Sequence, residues 1–95
     1  MTFLIAYDLK ISRRNYESFF DAVKSVGEVR QALPNVVVAR VSNTSTVANT
    51  DRLSQHLAQF LTHEDKLMIY DITHRRANGL MTNDAWTWLN ASVEG

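Results

Sequence analysis

Cysteine is absent from the chain, which excludes disulfides, thiolate zinc sites and a cysteine nucleophile. Glycine occurs only 3 times and proline once. The glycines are isolated, so there is no glycine-rich loop of the kind that cradles phosphates, and a small-ligand regulatory domain is disfavoured for the same reason. Charge of one sign is also missing: 10 Lys and Arg balance 10 Asp and Glu. That balance argues against a generic polycation that coats nucleic acid, since non-specific affinity comes mainly from neutralised phosphates. No apolar run approaches the ~18–20 residues that span a bilayer. No basic segment precedes the first apolar run, which reads as a strand and not as a signal peptide. The expectation is a cytoplasmic protein with no membrane partner. What remains is 95 residues, 45% apolar and 21% charged, the composition of one globular domain spanning 1–95.

Apolar periodicity organises that domain. Thr2 to Leu9 reads as a strand, with Phe3, Ile5 and Tyr7 on one face and Leu4, Ala6 and Asp8 on the other. Ser12 is the expected cap of a helix over 13–26, whose stripe is Tyr16, Phe19, Phe20, Val23 and Val26, with Gly27 as its C-terminal cap. A short strand over 29–33 lies near an edge, beside Pro34-Asn35, and a β-branched strand over 36–41 follows. Residues 42–49 are a polar loop. Thr50 is the expected cap of a second helix to about Thr62, with Leu53, Leu57, Phe60 and Leu61 as its stripe. Lys66 to Thr73 completes the strands. The remainder, 74–95, is an appendage expected at a dimer interface. Asn78-Gly79 marks a turn there, and Thr82 or Asn83 starts a short helix.

The order βαββαβ predicts an α+β fold: a ferredoxin-like sandwich, an antiparallel sheet with both helices on one face, core 1–73. Right-handed crossovers place the first strand and the strand at 36–41 centrally. The chain is too short to cover the second face of that sheet, which is partly apolar. Such a face implies a partner, most simply a second copy.

The stretch Phe3-Leu4-Ile5-Ala6-Tyr7-Asp8-Leu9 is an apolar strand ending in Tyr-Asp. It is followed by an aromatic-bearing helix, a hairpin, a second helix ending Phe60-Leu61, the turn Glu64-Asp65-Lys66-Leu67 and a late Trp88-Leu89. This arrangement resembles the CRISPR-associated protein two family, and more closely its small SinR-like relatives, over nearly the whole chain. The resemblance implies a homodimer with sheets packed face to face. It also implies that Asp8 meets its twin across the dimer axis as catalytic residue and metal ligand for Mg²⁺ or Mn²⁺, in an endonuclease acting on RNA or DNA. Other members of the family are structural partners in a protein complex and cleave nothing. The chain departs from the pattern after Tyr-Asp, where Leu9-Lys10-Ile11-Ser12 brings no second carboxylate.

The residues themselves leave these alternatives open. A hard divalent cation needs oxygen ligands, takes one or two carboxylates and keeps several waters, and two copies of Asp8 would meet that need. A strand-terminal Asp that starts a turn is the bland alternative. Lys10, Arg13 and Arg14 gather cations where the first helix begins, which suits a phosphate or pairing with Glu17. His74, Arg75 and Arg76 form a second basic cluster, for nucleic acid or for salt bridges to a partner. Asp71 lies in the last strand, but antiparallel pairing keeps it away from Asp8 within one chain. His56, His63 and His74 have no metal-ligand spacing. Trp86 and Trp88 are two apart and cannot share a helix face, so one packs on the domain and the other on a partner or in a groove. Two functions follow: a dimeric nucleic-acid-binding or processing protein with a metal at Asp8, or a non-catalytic dimeric interaction module.

Overall fold

The structure is a computed structural model. It describes residues 1–11, 13–74 and 87–88, without the side chains of Arg13 and Arg14. The expectations for Ser12, Arg75, Arg76, Asn78-Gly79, Thr82, Asn83, Trp86 and Leu89 lie outside the described residues.

Among the described residues four strands and two α-helices follow in order: β1 (Thr2–Asp8), α1 (Glu17–Ser25), β2 (Glu28–Leu33), β3 (Val36–Arg40), α2 (Thr50–Ala58) and β4 (Lys66–Asp71). The strands form one sheet ordered β2-β3-β1-β4, with every neighbouring pair antiparallel. This is the ferredoxin-like α+β arrangement that the element order predicts. Alternation sorts the side chains by face. Phe3, Ile5 and Tyr7 from β1 share a core with Val37 and Ala39 from β3, Leu67 and Ile69 from β4, and both helices. The helices contribute Phe19, Ala22, Val23, Leu53 and Leu57. Burying each of the larger side chains stabilises the fold by ~1.5–3 kcal/mol. Tyr7, Phe19 and Phe20 meet edge to face, with centroids 5.3–5.7 Å apart, the geometry that the aromatic quadrupole favours.

Several ends differ from the sequence expectation. The first helix does not begin as an α-helix at residue 13: a 3-10 turn, Arg13–Tyr16, precedes α1. Its C-terminal cap is Val26 in right-handed geometry, not Gly27. Gly27 is needed for another reason, because a Cβ there would stand 1.9 Å from the Arg40 carbonyl oxygen. The α2 cap is Asn49, one residue before Thr50; its side chain accepts the Arg52 N–H at 2.7 Å. α2 also stops at Ala58, which leaves Phe60 37% exposed instead of in the stripe.

The helix-free face is not wholly bare, as the sequence had suggested. Trp88 from the appendage packs against it with Val38, Ala32 and Ile72. Its indole Nε1–H donates to Glu28 Oε1 at 3.0 Å, and the Arg40 guanidinium lies 4.5 Å from its ring centroid. The indole hydrogen bond, then Arg40 and Arg30, hold the Glu28 carboxyl below its usual range. Trp88 thus covers the β2–β3 corner. The β1–β4 half carries Leu4, Ala6, Met68 and Tyr70, and the last two are 56% and 59% exposed.

Candidate functional site

The C-terminal end of β1 gathers the chemistry. Asp8 lies on the helix-free side, opposite Lys66 of β4. Its Oδ2 is 3.0 Å from Lys10 Nζ. Residues two apart on an extended chain share a side, so this pair follows from the local sequence. Both side chains are more than half exposed, and such a pair contributes little to stability. A cavity of about 200 Å³ borders Asp8, lined also by Tyr7, Leu9, Ile11, Phe20 and Asn35. A shallower one of about 260 Å³ lies on its other side, against Ala6, Lys66 and Met68.

A carboxylate that the sequence analysis passed over as part of an acidic turn holds this corner in place. Asp65 Oδ1 accepts the Lys10 N–H at 3.0 Å and the Tyr16 hydroxyl at 2.7 Å. Asp65 Oδ2 accepts the Thr62 N–H and hydroxyl at 2.9 and 3.0 Å. Tyr16 Oη in turn accepts the Ile11 N–H at 3.0 Å. The loop after β1 is thereby tied to the loop before β4, and Lys10 is presented beside Asp8. Burial alone would raise the Asp65 carboxyl, but the donors outweigh it and hold it at about 2. Burial and the hydrogen bond to Asp65 push the Tyr16 hydroxyl up. The available signal was Tyr16 itself, since a buried tyrosine hydroxyl in an apolar stripe requires a partner.

The remaining candidates are spread out. Arg13 and Arg14 have their backbone in the 3-10 turn that follows the Lys10 loop. Asp71 stands opposite Phe3, at the far end of β4 from Asp8, and its Oδ1 accepts the Thr73 N–H at 2.9 Å. His74 follows with φ of 60°, in the left-handed region. His56 meets Phe60 edge to face, and His63 is exposed.

Among the described residues no group of three or more His, Asp or Glu is placed to hold a metal ion. One protomer offers a divalent cation the single Asp8 carboxylate, already facing a lysine. The residues fit such an ion only where a second protomer brings its own Asp8. Among the described residues, no helix is long and apolar enough to cross a membrane. No family model matches the chain, and no curated protein matches it.

Proposed function

We propose that the chain works as a homodimer, a non-catalytic interaction module built on the helix-free side of its sheet. The observation that carries this reading is the apolar strip Leu4, Ala6, Met68 and Tyr70, whose outer members are more than half exposed. Contiguous exposed apolar surface of this kind marks interaction sites. The ion pair on Asp8 supports the non-catalytic side of the reading, because the carboxylate has a cation already. Sedimentation equilibrium tests it: a dimer in the micromolar range is expected, and Tyr70→Glu shifts it towards monomer. A chain that stays monomeric throughout that range overturns the reading.

A second reading keeps the nucleic-acid role implied by the resemblance to CRISPR-associated protein two. Lys66 and Lys10 flank Asp8 on the exposed side, which favours an anionic polymer there. On this reading Lys10, Arg13, Arg14, Arg75 and Arg76 bind the phosphates of RNA or DNA. Asp8 of each protomer holds Mg²⁺ or Mn²⁺, an ion that supplies water activation and charge stabilisation in phosphodiester hydrolysis. Cleavage that EDTA and Asp8→Ala both abolish would support it. Cleavage unchanged in Asp8→Ala, or no cleavage with either ion, would overturn it.

A further inference from the structure

Trp88 is joined to the sheet by charge as well as by apolar contact. Ala32, Ile72 and Trp88 pack on Val38, which is only 2% exposed, and Trp88 is the largest of the three. The indole N–H and the backbone carbonyl of Trp88 are both held by charged side chains. The first donates to Glu28 Oε1 at 3.0 Å, and the second accepts from Arg40 Nη2 at 3.2 Å. Arg40 is itself aimed by the same carboxylate, since its Nη1 donates to Glu28 Oε2 at 3.2 Å. Glu28 therefore grips Trp88 twice, directly with one oxygen and through Arg40 with the other. A second cation completes the cluster. Arg30 Nη2 lies 3.7 Å from Glu28 Oε1, and its guanidinium is 5.6 Å from the Trp88 ring centroid.

Strand pairing assembles these groups. Glu28 stands opposite Arg40 across β2 and β3, and Arg30 opposite Val38. Opposite charges attract at such cross-strand positions. Glu28 and Arg30 are two apart on β2 and share a face. The cluster sets two guanidiniums against one carboxylate. Without that negative charge Arg30 and Arg40 lose their counter-ion here, and Arg40 loses the acceptor that aims it at the Trp88 carbonyl. The side chains of Glu28, Arg30 and Arg40 are 48%, 57% and 36% exposed, so protons and salt reach them.

We propose that Glu28 is the key of a charge-operated clasp: while its carboxylate is ionised Trp88 stays docked, and when that charge is neutralised or screened Trp88 leaves the β2–β3 corner. Release takes the largest of its described apolar neighbours away from Val38, in the central strand β3, and turns a covered corner into apolar surface. The inference does not rest on either reading above, because every contact in it lies within one chain. Its response to pH has a definite sign. The groups that face Glu28 are Arg30 from β2, Arg40 from β3 and the Trp88 indole. All three favour the ionised carboxylate and hold it below its ordinary 4.5, against the opposing effect of burial. A carboxyl that is more acidic in the docked state binds its proton more tightly in the released one, so acid favours release. Arginine keeps its charge throughout, which leaves Glu28 as the titrating member. Salt acts on the same contacts, since the Debye length shrinks from ~30 Å at 0.01 M to ~3 Å at 1 M.

The chain has two tryptophans, so Trp86→Phe leaves Trp88 as the sole indole reporter. At low salt its emission is expected to shift to the red, and its quenching by acrylamide to rise, in one step with a midpoint below 4.5. Far-UV circular dichroism should stay constant through that step, which separates release from unfolding. Raising the salt from ~0.01 M to ~1 M at neutral pH should move the emission in the same direction. Glu28→Gln, made in the same background, keeps an amide oxygen for the indole but not the charge. It should show the released emission already at neutral pH and lose the acid step. Emission unchanged by acid or unchanged by salt, or moving only together with circular dichroism, overturns the inference. So does a Glu28→Gln protein that retains the acid step, because another group would then be the key. Should Glu28→Gln fail to fold, the acid and salt series on the Trp86→Phe protein decide alone.

Discussion

Four donor groups, from the loops at Lys10 and Thr62 and from Tyr16 in the 3-10 turn, converge on the Asp65 carboxylate, and the Lys10 N–H among them comes from 55 positions away in the chain. The carboxyl is held at about 2 against an ordinary 3.8. A folded-state value below the unfolded one stabilises the fold above pH ~4, and that contribution is lost as pH falls towards 2. Urea midpoints measured across this window should fall in the wild type. In Asp65→Asn the midpoint should be lower already at neutral pH, and this part of its pH dependence should vanish. An unchanged slope against urea would show that the change is in stability and not in compactness. Gly27 makes a separate point at this scale. Gly27→Ala sets a Cβ into the Arg40 carbonyl, and the strain should cost ~1–3 kcal/mol in chemical denaturation. Neither residue was legible for its true role. Asp65 looked like part of the turn into the last strand, and Gly27 like a helix cap. What decides both is an atom distant in sequence.

Helices and strands were legible as elements because apolar side chains recur with the period of the backbone. Tyr16 at the end of the 3-10 turn, Phe19 and Val23 of α1, and the α2 pair Leu53 and Leu57 are all buried. Leu53→Ala should cost ~2–5 kcal/mol. Element ends were less legible. Asn49 and Thr50 are adjacent and both good capping residues, and local chemistry does not choose between them. The structure chooses Asn49. Asn49→Ala should therefore cost ~1 kcal/mol of stability, while Thr50→Ala should stay within ~0.5 kcal/mol. The edge position of β2 was readable from the neighbouring proline. That β4 is the other edge becomes known only from the strand order of the sheet.

At the scale of the whole molecule, the sheet has one face under two helices, and on the other, among the described residues, Trp88 covers the β2–β3 corner. Trp88 sits between Arg40 and Val38, with its indole N–H on Glu28. Trp88→Ala should lower stability by at least ~0.5–1 kcal/mol from the lost cation–π contact alone, read as a shift of the denaturation midpoint. The covered corner also directs any partner to the β1–β4 half, where Met68 and Tyr70 stand out. The Asp8–Lys10 pair lies at the end of that half. It was readable as a cluster of charge from neighbouring positions in the chain, while Lys66 joined it only through strand pairing.

The amino-acid sequence by itself determined the order of elements, the face each strand buries and the central place of β1, because these follow from side-chain periodicity and crossover handedness. The tertiary structure alone decided which carboxylate anchors the site, why Gly27 must lack a side chain and where Trp88 docks. The physical reason is range. Periodicity is written in neighbours a few residues apart, whereas a hydrogen bond, a steric contact or an edge is set by segments that meet only after the sheet has formed.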